Sequence, residues 1–157
     1  MTMVNPASIP QRGGLAGLYS AAMHRLDTLP LSLVQLVSRL ALAQVFWQSS
    51  QSKLVSWPVT IQLFTYEYNL PIIDPGVAAV MATAAELSGA VLMFLGLFSR
   101  LSALMLLGVV ATIQIFVYPD HWGEHLTWAA PLLLILARGG GVLSLDHLAA
   151  RVIRRER

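Results

Sequence analysis

The sequence predicts an all-α integral membrane protein: a four-helix bundle with interfacial amphipathic helices at both termini and an outer helical lid between its first two spans. Three observations carry that prediction. Of 157 residues, 56% are hydrophobic and only 11% are charged, against roughly 25% charged in an ordinary soluble domain. The length suits about four spans of roughly 20 residues with short connections. The basic residues gather almost entirely on one side of those spans, as in a multi-pass chain oriented in a bilayer. Composition excludes a disordered chain and a fibrous repeat. The absence of cysteine excludes a disulfide framework and cysteine-ligated iron–sulfur clusters.

Residues 1–28 read as a cytoplasmic amphipathic segment, with Leu15, Leu18, Ala22, Leu26 and Leu29 in an apolar stripe at helical spacing. The bundle occupies residues 29–138, with spans at about 29–50, 75–98, 101–118 and 122–137. Ala41-x-Ala43 has the small residues of a leader cleavage site, but Arg39 interrupts the apolar run, so the first span is expected to be retained. Asp74-Pro75 starts the second span, with Asp as N-cap and Pro at the first helical position. Only Ser99-Arg100 separates the second and third spans, which predicts a tight antiparallel hairpin. Between the first two spans, residues 51–74 form the outer lid. There Ser56-Trp57-Pro58 can start a helix, and Trp57, Ile61, Phe64 and Tyr68 share a face suited to the membrane–water interface. A strand at Val59 to Phe64 would leave an open edge at the membrane surface and is disfavoured. Residues 139–157 form a basic cytoplasmic tail in which Ser144 caps an amphipathic helix.

Arg12, Arg25, Arg100, Arg138, Arg151, Arg154, Arg155 and Arg157 fall on the side of the termini and the Ser99-Arg100 turn. The other side holds Lys53 with Glu67, Asp74, Asp120 and Glu124. This distribution places both termini in the cytoplasm. The basic balance therefore sets topology, and no nucleic-acid partner is expected.

Two charges remain inside the spans. Arg39 and Glu86 come out at similar depth at about 1.5 Å per residue. Each uncompensated charge at a helix centre costs roughly 2.5–3.5 kcal/mol on insertion scales. The two are therefore expected to pair across the first two spans, either as an architectural ion pair or with Glu86 handling protons or a ligand headgroup. Gln44, Gln48 and Gln51 form a stripe on the first span. Together with Thr83, Gln114, Thr127 and Trp128 they lie at outer-leaflet depth, where they would line a polar cavity or bond helix to helix. His121-Trp122-Gly123-Glu124-His125 spells the H-x-x-E-H of a zinc protease. It sits at a span entrance without a soluble domain, so it reads as a polar helix start, with His121 and His125 as the candidate metal ligands. Gly139-Gly140-Gly141 is no phosphate loop, because no strand precedes it and no Lys-Ser/Thr follows.

Glu86-Leu87-Ser88-Gly89, continuing through Leu95-Gly96-Leu97-Phe98-Ser99-Arg100, resembles the E-L-x-G…L-G-L-F-[ST]-R signature of the DoxX family of bacterial four-span membrane proteins. Arg39 matches the arginine usual in that family's first span, and Gly141 with Ser144-Leu145-Asp146 is similar to its G-x-x-S-L-D ending. The resemblance covers roughly Leu31 to Leu148. Many relatives carry H-G-x-x-K at the end of the first span. Here the stretch is Ser49-Ser50-Gln51-Ser52-Lys53, which keeps only the lysine. The segments Phe64 to Pro71 and Glu124 to Trp128 resemble the branch often encoded beside copper-binding ribosomal peptides and their iron-dependent modifying enzymes.

Better-known members are membrane subunits of thiosulfate:quinone oxidoreductases. The resemblance thus implies a subunit of a redox or metal-stress system in the bacterial inner membrane. The expected cofactor is a quinone or similar amphiphile, bound near catalytic Glu86 and Arg39 with Gln44, Gln48, Thr83, Gln114, Thr127 and Trp128 as binding groups. Expected partners are the lipid bilayer and other subunits of a membrane complex. The alternative is a non-enzymatic scaffold, exporter or receptor for a small secreted copper-binding peptide or partner protein, with copper at His121 and His125. A structural subunit with no ligand of its own is the third reading.

Overall fold

The computed structural model describes residues 14–156. Arg12 and Arg157, two of the bases assigned to the cytoplasmic side, lie outside them. The described residues form helices and turns with no strand among them.

Helix α1 (Leu15–Asp27) belongs to a unit of its own. It buries none of its residues and carries His24 and Arg25 in its last turn, where positive charge suits the helix dipole. The second unit starts at Leu31. Its first helix, α2 (Leu31–Val55), runs past the Ser50 boundary expected for the first span, so Lys53 lies on the helix. The lid is helical: α3 (Trp57–Leu63) widens into a π turn over Phe64–Tyr68 and stops at Asn69, a left-handed residue with φ 37°. Thr60 Oγ1 donates to the Lys53 carbonyl at 2.6 Å and fastens the lid to the end of α2.

Helix α4 (Pro75–Leu95) starts as predicted, with the Asp74 carboxylate accepting from the Gly76 and Val77 amides. It ends at Gly96, φ 66°, where the Leu97 amide donates back to the Leu92 carbonyl at 3.1 Å. That pattern is a Schellman C-cap, which a glycine adopts without strain. The hairpin turn is therefore Gly96 to Phe98, and α5 (Ser99–Thr112) already begins at the residue expected in the turn. Helix α5 continues as a π turn over Ile113–Val117. Helix α6 (Trp122–Arg138) follows, and α7 (Leu145–Arg155) is capped by Ser144 Oγ, which accepts from the His147 amide at 3.2 Å.

Helices α2, α4, α5 and α6 pack in a ring: α2 lies against α4 and α6, and α5 against the same two. Leu42, Phe46, Met93, Leu106, Leu132 and Ile135 fill the centre. The absence of a side chain at Gly89 brings α4 and α5 together. A Cβ there would stand 2.6 Å from Leu106 Cδ2, and Ser102 Oγ donates to the Gly89 carbonyl at 3.2 Å. Outward, Val37, Val80, Phe94, Leu104, Ile115 and Leu133 are exposed. An apolar surface of this extent is matched to lipid rather than water. Helix α4 and the segment Ser99–Val117 are each long and apolar enough to cross a membrane.

The end of the bundle carrying the α4–α5 turn is tied by two side chains one turn apart on α2. Arg39 is buried and donates from Nε to the Met93 carbonyl at 3.0 Å, from Nη2 to Phe94 at 3.3 Å, and from Nη1 to Gly140 and Leu143 at 3.1 and 2.9 Å. Gln35 Nε2 donates to the Arg138 and Gly139 carbonyls at 3.2 and 2.9 Å. The Met93, Phe94 and Arg138 carbonyls lie in the last turns of α4 and α6, where carbonyls lack intrahelical donors. Met93 also accepts from the Gly96 amide at 3.2 Å. The Gly139, Gly140 and Leu143 carbonyls lie in the segment between α6 and α7. The Asp146 carboxylate completes the tie by accepting from the Phe98 and Ser99 amides at 2.7 and 2.8 Å, capping α5.

Candidate functional site

At the opposite, lid end, a cavity of about 390 Å³ lies between the lid, α2, α4, α5 and α6. Its volume falls in the roughly 300–1,000 Å³ range of small-molecule sites. Most of its wall is apolar, with Phe46, Phe64, Met81, Met105, Val109 and Ile113 among the lining residues.

The ion pair in the wall is not the one expected. Glu86 pairs with Lys53, whose Nζ stands 2.7 Å from Oε2 and 3.0 Å from Oε1. Lys53 also donates to Ser49 Oγ at 2.8 Å, and both charged residues are buried. The expected Arg39–Glu86 pair does not form, and the reason is directional. A helical side chain leans toward the N-terminus of its own helix. Because α2 and α4 are antiparallel, Arg39 leans toward the α4–α5 turn while Glu86 leans toward the lid. Lys53 leans back from the end of α2 into the cavity and meets Glu86 there.

On the other side of the cavity, His125 is buried and its Nδ1 stands 2.6 Å from Gln114 Oε1. Gln114 is itself oriented, because its Nε2 donates to the Pro119 carbonyl at 2.6 Å. Proline supplies no N–H, but its carbonyl accepts as any other does. The π turn of Ile113–Val117 carries Gln114 to this position at the end of α5.

An arc of rings borders the same end. Successive centroids are 4.7 Å apart for Phe64–Tyr68, 6.1 Å for Tyr68–Tyr118, 5.2 Å for Tyr118–His121, 6.3 Å for His121–His125, 5.6 Å for His125–Trp128 and 6.4 Å for Trp128–Phe46. The arc joins the lid to α6 and α2. Burial pushes the Tyr68 hydroxyl pKa upward, reinforced by the negative charges of Glu86 and Glu67.

The lid is latched to the α5–α6 connection by the Tyr118 hydroxyl, which donates to the Glu67 carboxylate. That hydrogen bond, with desolvation second, pushes the tyrosine pKa up to about 12. A raised pKa means that the protonated tyrosine is the form the fold favours. The latch is therefore complete below the ordinary tyrosine value of about 10 and is lost as pH rises through about 12. In an absorbance titration, Glu67→Gln should bring one tyrosine back toward the ordinary range. An unchanged curve would show that Glu67 does not hold Tyr118.

Of the residues expected at the site, Glu86 and Trp128 line the cavity, and Gln114 meets it through His125. Arg39 lies at the other end of the bundle. Gln44 and Gln48 are exposed on the outer face of α2, and Thr127 is exposed on α6. Thr83 is buried away from the lining, its hydroxyl without a hydrogen-bond partner among the described residues. His121 is exposed while His125 faces the cavity. Among the described residues no group of three or more His, Cys, Asp or Glu side chains is placed to hold a metal ion. The wall residues missed from sequence are Lys53, Ser49, Tyr68 and Tyr118. Two signals pointed to Lys53: it is the one residue kept from H-G-x-x-K, and no helix breaker precedes Ser56-Trp57-Pro58.

A ring of four helices jacketed in apolar side chains, with a chamber at one end walled by a buried ion pair, defines a multi-pass integral membrane protein in contact with lipid. The family model described as DoxX matches residues 34–119, more than half of the chain. The chain belongs to the DoxX family. Comparison with curated proteins and with solved structures finds no match.

Proposed function

We propose that this DoxX protein binds a quinone or similar amphiphile in the lid-end cavity, as a subunit of a redox or metal-stress system in the bacterial inner membrane. All four bundle helices cross the bilayer in this reading, with both termini cytoplasmic. The exposed arginines Arg100, Arg138, Arg151, Arg154 and Arg155 support that orientation. Lys53, the one lysine or arginine on the lid side, is neutralised by Glu86.

The observation that carries the ligand assignment is the cavity itself. It is mostly apolar, and it sets a carboxylate–ammonium pair and an imidazole on facing helices. Such a site suits a flat, largely apolar molecule with polar groups at its ends. The test is a titration of the purified full chain in detergent with a short-chain ubiquinone, followed by tryptophan fluorescence. Saturable quenching is expected, mostly removed by Trp128→Phe and shifted at least tenfold in Kd by Glu86→Gln. Absence of saturable binding would overturn the reading.

A further inference from the structure

We infer that the cavity selects the reduced, hydroxyl-bearing form of its ligand, a hydroquinone held by an O–H···Nε2 hydrogen bond to His125. This rests on the quinone-type reading above and adds a direction to it.

The inference follows from a chain of hydrogen bonds that leaves no freedom in the imidazole. The Pro119 carbonyl can only accept, so the Gln114 amide must turn its NH₂ toward it, at 2.6 Å. That orientation leaves Gln114 Oε1 facing His125 Nδ1, also at 2.6 Å. An amide oxygen can only accept, so Nδ1 carries a proton and donates. In the neutral ring Nε2 then bears a lone pair and no proton. His125 is 4% exposed and lines the cavity. Its Nε2 has no partner among the described residues, so a ligand hydroxyl is what completes it.

The other strong groups on the wall push the same way. The Lys53 ammonium has three protons, and Glu86 Oε1, Glu86 Oε2 and Ser49 Oγ take them. No charged donor is left for a quinone carbonyl. The Glu86 carboxylate keeps lone pairs and is a second acceptor. Tyr68, Trp128 and the Ser49 hydroxyl offer neutral donors, but a carbonyl held by them leaves the acceptor at His125 Nε2 unmatched. An unmatched buried polar group weakens binding more than a lost contact does. The quinol satisfies that acceptor and the quinone does not.

Gln114 acts through His125 and is a positioning residue. Gln114→Leu frees the imidazole to take either tautomer. The experiment compares anaerobic binding of a one-isoprene ubiquinone and its chemically reduced quinol to the purified full chain. The expected result is at least tenfold tighter binding of the quinol, which raises the midpoint potential of the bound two-electron couple by about 30 mV per tenfold. Gln114→Leu should bring the ratio of the two Kd values toward one while both forms still bind. Equal binding, or tighter binding of the quinone, to the unaltered protein overturns this inference and leaves the binding site standing. A ratio that survives both Gln114→Leu and His125→Phe overturns the role of the locked imidazole. Failure of both forms to bind overturns the quinone reading together with the inference.

Discussion

Arg39→Met should lower the thermal midpoint of the purified protein by on the order of 10 °C. Arg39 serves four carbonyls from two separate segments, the end of α4 and the loop before α7. Each buried carbonyl left without a donor costs about 1–3 kcal/mol. Partial relaxation brings the sum to roughly 3–5 kcal/mol, and a chain of this length loses about 2–4 °C per kcal/mol. Arg39→Lys should not rescue it, because one compact ammonium cannot span what the planar guanidinium reaches. Gly96→Ala should act in the same direction. A Cβ at Gly96 would stand 2.1 Å from Arg39 Nη1, at a residue whose φ of 66° already disfavours a side chain. Thermal unfolding followed by circular dichroism checks both, and a midpoint unchanged in Arg39→Met would show that these carbonyls find other partners.

The Lys53–Glu86 pair predicts a different pattern, because here stability and binding separate. Lys53→Met alone or Glu86→Leu alone leaves a buried charge without its partner and should cost about 3–5 kcal/mol. The double substitution removes both charges together and should recover most of that loss, since a buried pair replaced by apolar residues is often nearly neutral. Recovery of the fold should not bring recovery of the site. The double variant should bind the short-chain ubiquinol and ubiquinone at least tenfold more weakly than the unaltered chain. Thermal midpoints for the three variants with one binding titration decide it. Full affinity in the double variant would make the pair architectural.

The architecture was legible in the sequence because a bilayer imposes long apolar helices, and their starts carry local chemistry. Asp74-Pro75 and Ser144 cap the helices they were expected to cap. The two interior charges were conspicuous for the same reason. Their partners were not legible, because depth along a span says nothing about which way a side chain leans. One extra turn and a half of α2 was enough to bring Lys53 into the competition for Glu86. Helical spacing placed Gln44 and Gln48 on one stripe but could not say that the stripe faces outward. Spacing likewise treated His121 and His125 as equivalents. The first precedes α6 in the open connection, and the second is a turn inside it, against Gln114. That hydrogen bond depends on the π turn in α5, which no local pattern announces.

The tie built by Arg39, Gly96, the Phe98 and Ser99 amides, Gly140 and Asp146 separates two demands on the same chain. It sits at the far end of the bundle from the chamber and shares no side chain with the chamber wall. What holds the helices together and what receives a ligand are therefore built from different residues, and each can be altered while the other keeps its contacts.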